Sequence, residues 1–146
     1  MIDSAVIHKL LATSAITTLV STRIYSDVLP QPAPTFPAIS VSLTSDIPSI
    51  YVSKGNEARV TVSCWSNPET SKGLRSPAEV QTVAAAVKAA MHKPLFNNSP
   101  ERWTITGTST SYDIITRRVT DGTRIIENPN GWYHIPVDVL MSYQEV

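Results

Sequence analysis

The side chains able to do chemistry in this chain are few and widely spaced. His8, His92 and His134 fall in three separate stretches, without the short spacing that places two metal ligands on one helix or turn. No metal is expected. Cys64 is the only cysteine, so neither an internal disulfide nor a thiolate cluster for zinc can form. Cys64 and His134 could meet across a sheet as a thiol–imidazole pair, but Cys64 shares the apolar phase of its strand, where a thiol behaves as a small hydrophobe. Asp27, Asp46, Asp113, Asp121 and Asp138 are scattered, and no two have a spacing that implies paired acid and base work. Gly55, Gly73, Gly107, Gly122 and Gly131 do not assemble into a phosphate-cradling loop. These absences argue against an enzyme, and no cofactor is expected.

Two groups remain that could bind rather than react. Arg117, Arg118 and Arg124 form a small basic patch whose first reading is a solvent-facing hairpin tip, and whose second is a contact to phosphates or to a neighbour's carboxylates. Trp65, Trp103 and Trp132 lie at or near strand ends without interleaved basic residues, so they are expected to close a core rather than stack on bases.

Composition narrows the classes further. A length of 146 residues fits one domain spanning 1–146, and 42% apolar residues suffice for a core despite 11 prolines. Twelve basic residues balance twelve acidic ones, which removes the usual electrostatic reason to expect a nucleic-acid or membrane-surface binder. Only 16% of residues are charged, against about 25% in an ordinary domain, and Ser and Thr take their place. Hydroxyls are cheaper to desolvate than charges, so such a surface suits a protein largely covered by partners. The apolar stretch over 10–20 is interrupted by Thr13, Ser14, Thr17 and Thr18 and preceded by Asp3, so it does not read as a signal peptide. Nor does any run reach the roughly 18 apolar residues of a membrane span.

The elements that must position these residues follow from periodicity. Asp3 can cap a first helix with Val6, Ile7, Leu10 and Leu11 on one face. A short helical or turn segment over 15–20 directs Ile16, Leu19 and Val20 inward. Pro30, Pro32, Pro34 and Pro37 then impose an extended connector. A strand over 38–44 alternates Ile39, Val41 and Leu43 with Ser40, Ser42 and Thr44, and a partner over 58–65 alternates Ala58, Val60, Val62 and Cys64 with Arg59, Thr61, Ser63 and Trp65. The connection over 45–57 is too long for a tight turn and carries Ile47, Ile50, Tyr51 and Val52, apolar residues that suggest docking onto a partner. A helix beginning at Pro77 or Ala78 and stopped by Pro94 carries Val80, Val83, Ala84, Val87, Ala90 and Met91 on one stripe. The last third reads as a long hairpin. Its first strand runs over 103–118, where the apolar phase of Trp103 and Ile105 changes by Tyr112 and Ile114 and Gly107 marks a bulge, and its closing strand alternates Tyr133, Ile135, Val137, Val139, Met141 and Tyr143, with Pro136 marking an edge or a kink. Between them Asp121-Gly122 and Asn130-Gly131 signal turns, with a small extension over 123–126. The fold class implied is α+β: an antiparallel or mixed sheet of four or five strands packed against two main helices.

One pattern lies beyond composition and periodicity. Arg23-Ile24-Tyr25, then Asp27, Pro30-Gln31, Ala33-Pro34 and Pro37-Ala38-Ile39 resemble an "RIYPDxxPQxAPxP" type segment, and Val60-Thr61-Val62-Ser63-Cys64-Trp65 a "VxxxCW" type strand before a helix. These segments resemble the tail completion, or tail terminator, family of long-tailed bacteriophages over nearly the whole chain; Ser26 stands where that family often has proline. The resemblance implies a structural virion protein located in the tail's neck region and assembled in the host cytoplasm. It implies a homohexameric ring that ends tail-tube growth and offers a docking surface to the head connector. Its partners would be itself, the tail tube protein and a head-completion or connector protein, with DNA only passing through the lumen and no membrane. The nearest alternative is a head-side connector or stopper, or another head-tail joining protein; a small cysteine-dependent hydrolase is a remoter one. Within the terminator reading, the 45–57 loop with Ile47, Ile50, Tyr51 and Val52 and the 117–131 hairpin with Arg117, Arg118 and Arg124 are expected to make ring-to-ring contacts, and the sheet with its Ser/Thr face to help meet neighbouring subunits within the ring.

Overall fold

The computed structural model describes residues 2–30, 35–48, 55–67, 78–92, 100–105, 108–122, 125–127 and 132–146. The order of elements is α1 (Ile2–Leu11), α2 (Ser14–Val20), β1 (Ile24–Ser26), β2 (Ala38–Pro48), β3 (Asn56–Ser66), α3 (Ala78–Met91), β4 (Glu101–Thr104), β5 (Ser111–Asp121), β6 (Ile125–Glu127) and β7 (Trp132–Glu145). Among the described residues the fold is mixed α+β as expected, but the sheet is larger: seven strands in the order β1-β2-β3-β7-β5-β4, with β6 pairing β7, beside two longer helices and the short α2 over the segment expected to be helical or turn. β1 runs parallel to β2 through Ile24↔Ile39, and the other pairings are antiparallel, so the sheet is mixed.

Alternation in β2, β3 and β7 buries one face along continuous rows. Ile39, Cys64 and Ile135 form one row, and Val41, Val62 and Val137 the next. α1 and α3 pack onto this face, and α2 packs against both of them. Ile2, Ala5, Val6 and Leu10 of α1, Ile16 and Val20 of α2, and Val80, Val83, Ala84, Val87 and Met91 of α3 join the strand residues in one apolar cluster. The anticipated stripe on α3 is buried except Ala90, which is half-buried, and each fully buried Val or Met contributes about 1.5–3 kcal/mol. In α1, Ile7 and Leu11 are half-buried flankers rather than core, and Asp3 lies inside the first helical turn instead of preceding it.

Three further expectations change. The stretch over 103–118 is not one bulged strand but two: β4 and β5 pair antiparallel from Glu101↔Ile114 to Thr104↔Ser111. The phase change after Ile105 is therefore a reversal of direction. Gly107 lies outside the described residues, and the β5 irregularity falls between Thr116 and Arg118. The long connection over 45–57 shrinks, because β2 continues to Pro48 and β3 begins at Asn56, pairing Asp46 with Ala58 and Ile47 with Glu57 beyond a register shift at Leu43/Ser45. Finally, β7 is neither an edge nor visibly interrupted at Pro136: it lies between β3 and β5.

Pro136 is tolerated there for a local reason. A strand residue directs its N–H and C=O to the same neighbour, and the Pro136 carbonyl accepts from the Gly122 N–H at 2.7 Å. Its missing donor thus faces the seam where β5 ends at Asp121 and β6 takes over at Ile125. The approach is close enough that a Cβ on Gly122 would sit 2.7 Å from Pro136 Cγ. Gly122→Ala should accordingly destabilise the protein by about 1–3 kcal/mol, the usual cost of overpacking, in urea unfolding. Combined with Pro136→Ala, the same substitution should cost measurably less than alone; an equal cost in both backgrounds would show that this contact does not set the requirement for glycine.

Candidate functional site

Register separates the two residues that could have formed a nucleophilic pair. Cys64 pairs with Ile135 while Trp65 pairs with His134, so Cys64 points into the helix-covered core and His134 to the opposite face. Burial pushes the Cys64 thiol up to about 12, which leaves it protonated and unreactive at neutral pH. Among the described residues no three His, Cys, Asp or Glu side chains are grouped to hold a metal, and no described helix is long and apolar enough to cross a membrane.

The sheet face opposite the helices carries three successive bands. At one end Phe36, Trp65, Trp132 and His134 form an aromatic cluster. His134 stacks on Trp65 at 4.1 Å, Trp132 meets Trp65 edge-on at 6.4 Å, and Phe36 meets Trp132 at 4.9 Å. Trp65 and Trp132 therefore cover the outer face, whereas Trp103 alone is buried in the core cluster. The Trp65 indole N–H donates to Ser40 Oγ at 3.0 Å, and Ser40 and Ser63 are buried beside this cluster. The next band is a hydroxyl ladder: Thr44 and Thr61 share a hydrogen bond at 3.1 Å, and the Thr61 hydroxyl donates to Asp138 at 2.8 Å. The outer hydroxyl face anticipated from sequence is thus part buried and part internally bonded.

The third band is cationic. Arg59 and Arg118 flank Leu140 in register and, with Thr120 and Asp138, line a shallow groove. Both arginines are exposed, and neither has a carboxylate partner among the described residues. Arg118 is thereby placed within β5, next to its register shift, and not at a hairpin tip. The side chain of Arg117 and all of Arg124 lie outside the described residues, as do Ile50, Tyr51 and Val52. Ile47 is 56% exposed on the outer face, beside Glu57 near the end of the β2–β3 pair.

On the helix side, at the end where β2 and β3 approach their hairpin, lies a carboxylate cluster that periodicity did not reveal. An open cleft of about 450 Å³ is lined by Ile2, Asp46, Asn56, Tyr112, Tyr143, Gln144 and Glu145. The Tyr143 hydroxyl donates to Asp46 Oδ2 at 2.5 Å, and the Asn56 amide donates to Asp46 Oδ1 at 3.0 Å. Partial burial and the bond to Asp46 hold the Tyr143 proton well above the ordinary phenol range. Tyr112 is raised too, by burial and then by the charges of Glu145, Asp3 and Asp46, so three carboxylates act on one ring. The signal available in sequence was Asp46 and Asn56 flanking an apolar tip; their partner Tyr143 lies 97 positions from Asp46.

Comparison with known proteins gives one family and one architecture. Residues 4–141 match the family described as tail completion protein gp17. A chain of the virion of a native gene transfer agent particle has a similar fold, with a TM-score of 0.58 at 19% identity, covering 99% of this chain and 94% of that one. No curated protein sequence matches.

Two outcomes test the chemistry of these sites. Cys64 should resist a disulfide-exchange reagent in the native protein at pH 8 and react fully in denaturant; rapid native labelling would reopen the nucleophile reading. Because the folded state holds the Tyr143 proton above its ordinary value of about 10, the unfolded chain releases its proton first, and stability should fall as pH rises past about 10. Tyr143→Phe should make that fall shallower, with Tyr112 retaining part of it, in unfolding midpoints measured from pH 8 to 12.

Proposed function

Because the chain belongs to the tail completion protein gp17 family, and so is a structural phage tail protein, we propose that it forms a six-membered ring at the head-proximal end of the tail tube. There it ends tube growth and presents the surface to which the head connector docks. The family match over residues 4–141 carries this reading. A tail tube grows by stacking rings through a heterologous contact that has no intrinsic end. A terminator must therefore match the tube on one side and offer a different surface on the other, a task of shape that needs no reactive group. The buried Cys64 and the scattered histidines are consistent with a non-enzymatic role.

Within that reading, the β2–β3 tip with Ile47, Ile50, Tyr51 and Val52 and the connection carrying Arg124 make ring-to-ring contacts. Exposed Ile47 at the end of a strand pair that extends to Pro48↔Asn56 supports the first assignment. The uncovered sheet face makes subunit contacts within the ring, which transfers Arg118 from the first group to the second.

The experiment is negative-stain microscopy of lysates from the phage or prophage carrying a deletion of this gene. Filled heads beside unattached, abnormally long tails are the expected result. Detached tails of normal length would move the protein to a head-side connector or stopper step, and infectious particles in wild-type numbers would overturn a virion role. Removal of residues 47–53 should reproduce the loss of tail attachment; intact attachment would exclude the tip from the contact.

A further inference from the structure

Arg59 and Arg118 are exposed on the outer face of the sheet without a carboxylate partner among the described residues. Asp46 and Glu145 line a cleft to which no lysine or arginine contributes. The two sites cannot neutralise each other within one molecule. Asp46 is paired with Ala58, whose side chain is in the helix-covered core, whereas Arg59, the next residue, points to the opposite face. Adjacent positions on a strand project to opposite sides, so the sheet itself stands between the guanidiniums and the carboxylates.

We infer that the contact between neighbouring subunits of the ring is a head-to-tail one, in which the Arg59–Arg118 groove of one copy receives the Asp46–Glu145 edge of the next. The occupant of each surface is a second copy of this chain, which is the partner known to carry both complements. The inference rests on the ring reading above and deepens it. A heterologous contact uses two different patches on each subunit, and opposite charges on opposite faces are what such a contact requires; an isologous dimer would need one self-complementary patch. The low charge of the chain sharpens the effect. With 16% charged residues and a net charge of zero, few other charges compete, and the two exposed arginines, whose groove neighbour Asp138 is bonded to the Thr61 hydroxyl, can steer onto the Asp46 and Glu145 carboxylates of another copy. Leu140, between the arginines in register, supplies apolar contact at the centre of the groove.

Charge reversal in two alleles tests this. One allele carries Arg59→Glu with Arg118→Glu, the other Asp46→Lys with Glu145→Lys, each supplied to the phage deleted for the gene. Alone, each places like charges across every contact, and each should lower infectious titre by roughly tenfold or more. Supplied together they can alternate around an even-numbered ring. Native acid then meets native arginine at one contact, and lysine meets glutamate at the next. Titre should return to within roughly threefold of wild type, a rescue that a defect in folding or in binding another protein does not produce. Circular dichroism melts establish that each variant folds. If Asp46→Lys does not fold, because Asp46 holds Tyr143 and Asn56, Glu145→Lys alone replaces it. Full complementation by either allele alone would overturn the contact while leaving the ring intact. Failure of both without mutual rescue would also overturn it and assign the arginines to another tail protein. Failure of the ring reading itself is seen separately, as tails of normal length, attached or detached, in the deletion strain without any allele.

Discussion

Strand β7 is bonded along both edges, to β3 from Asn56↔Tyr143 to Ser66↔Tyr133 and to β5 from Tyr112↔Glu145 to Asp121↔Val137, and the rest of the molecule depends on that double pairing. A slip of one residue would exchange Val137, Val139 and Met141 for Asp138, Leu140 and Ser142 on the face that α1 and α3 cover. The register is therefore held by the burial of a whole face, not by any one contact. The same register builds the outer surface. Once Val60 and Val139 are committed inward, Arg59, Leu140 and Arg118 must align outward as a row, and Trp65 must lie beside His134. Functional surface and hydrophobic core are two consequences of a single set of hydrogen bonds.

Where sequence was a good guide, it was through unbroken periodicity. The alternation over 38–44, 58–65 and 133–143 located β2, β3 and β7, and the three-and-four spacing from Val80 to Met91 located α3. What escaped were features set by contacts distant in the chain. β1 is three residues long, and only its parallel pairing with β2 makes it a strand. The split between β4 and β5 was hidden because a bulge and a reversal both shift the phase of an alternation, and period alone does not record the direction of the chain. Pro136 pointed to an edge because it lacks a donor, yet the loss is harmless where β5 yields to β6 and the Gly122 N–H meets its carbonyl. β2 and β3 outran their expected ends since Ser45, Asp46 and Pro48 look like turn residues until Asn56, Ala58 and Arg59 are set opposite them.

The same division applies to the candidate surfaces. Ile47 was legible as an apolar residue at an exposed tip, and Arg118 as part of a basic pair. Their settings were not. Arg59 became the partner of Arg118 only through β7, since Leu140 stands between them. Asp46 gained its role from Tyr143, which approaches from the far end of the chain. The tryptophans divided for a similar reason: Trp103 faces the core, while Trp65 and Trp132 share a cluster whose members come from the connector before β2, from β3 and from β7. That cluster also accounts for two buried serines on a face otherwise read as solvent-exposed. Ser63 is 9% exposed and Ser40, bonded to the Trp65 indole, only 4%.

Neutrality then acquires a meaning beyond the exclusion of nucleic-acid binding. A chain with zero net charge can still hold two particular sets apart, and here Arg59 and Arg118 lie on the side of the sheet opposite Asp46 and Glu145, while Asp138, which shares the arginines' groove, is held by the Thr61 hydroxyl. A lone copy leaves both sets hydrated, at little cost because they are exposed. Under the proposed contact, each added copy neutralises one set and presents the other anew, so addition continues until the last copy meets the first. In that proposal closure matches these two patches around the ring, and further growth is left to the surfaces at the ring's two ends. A subunit built in this way separates the forces that close the ring from those that stop the tube, which allows one surface to change without disturbing the other.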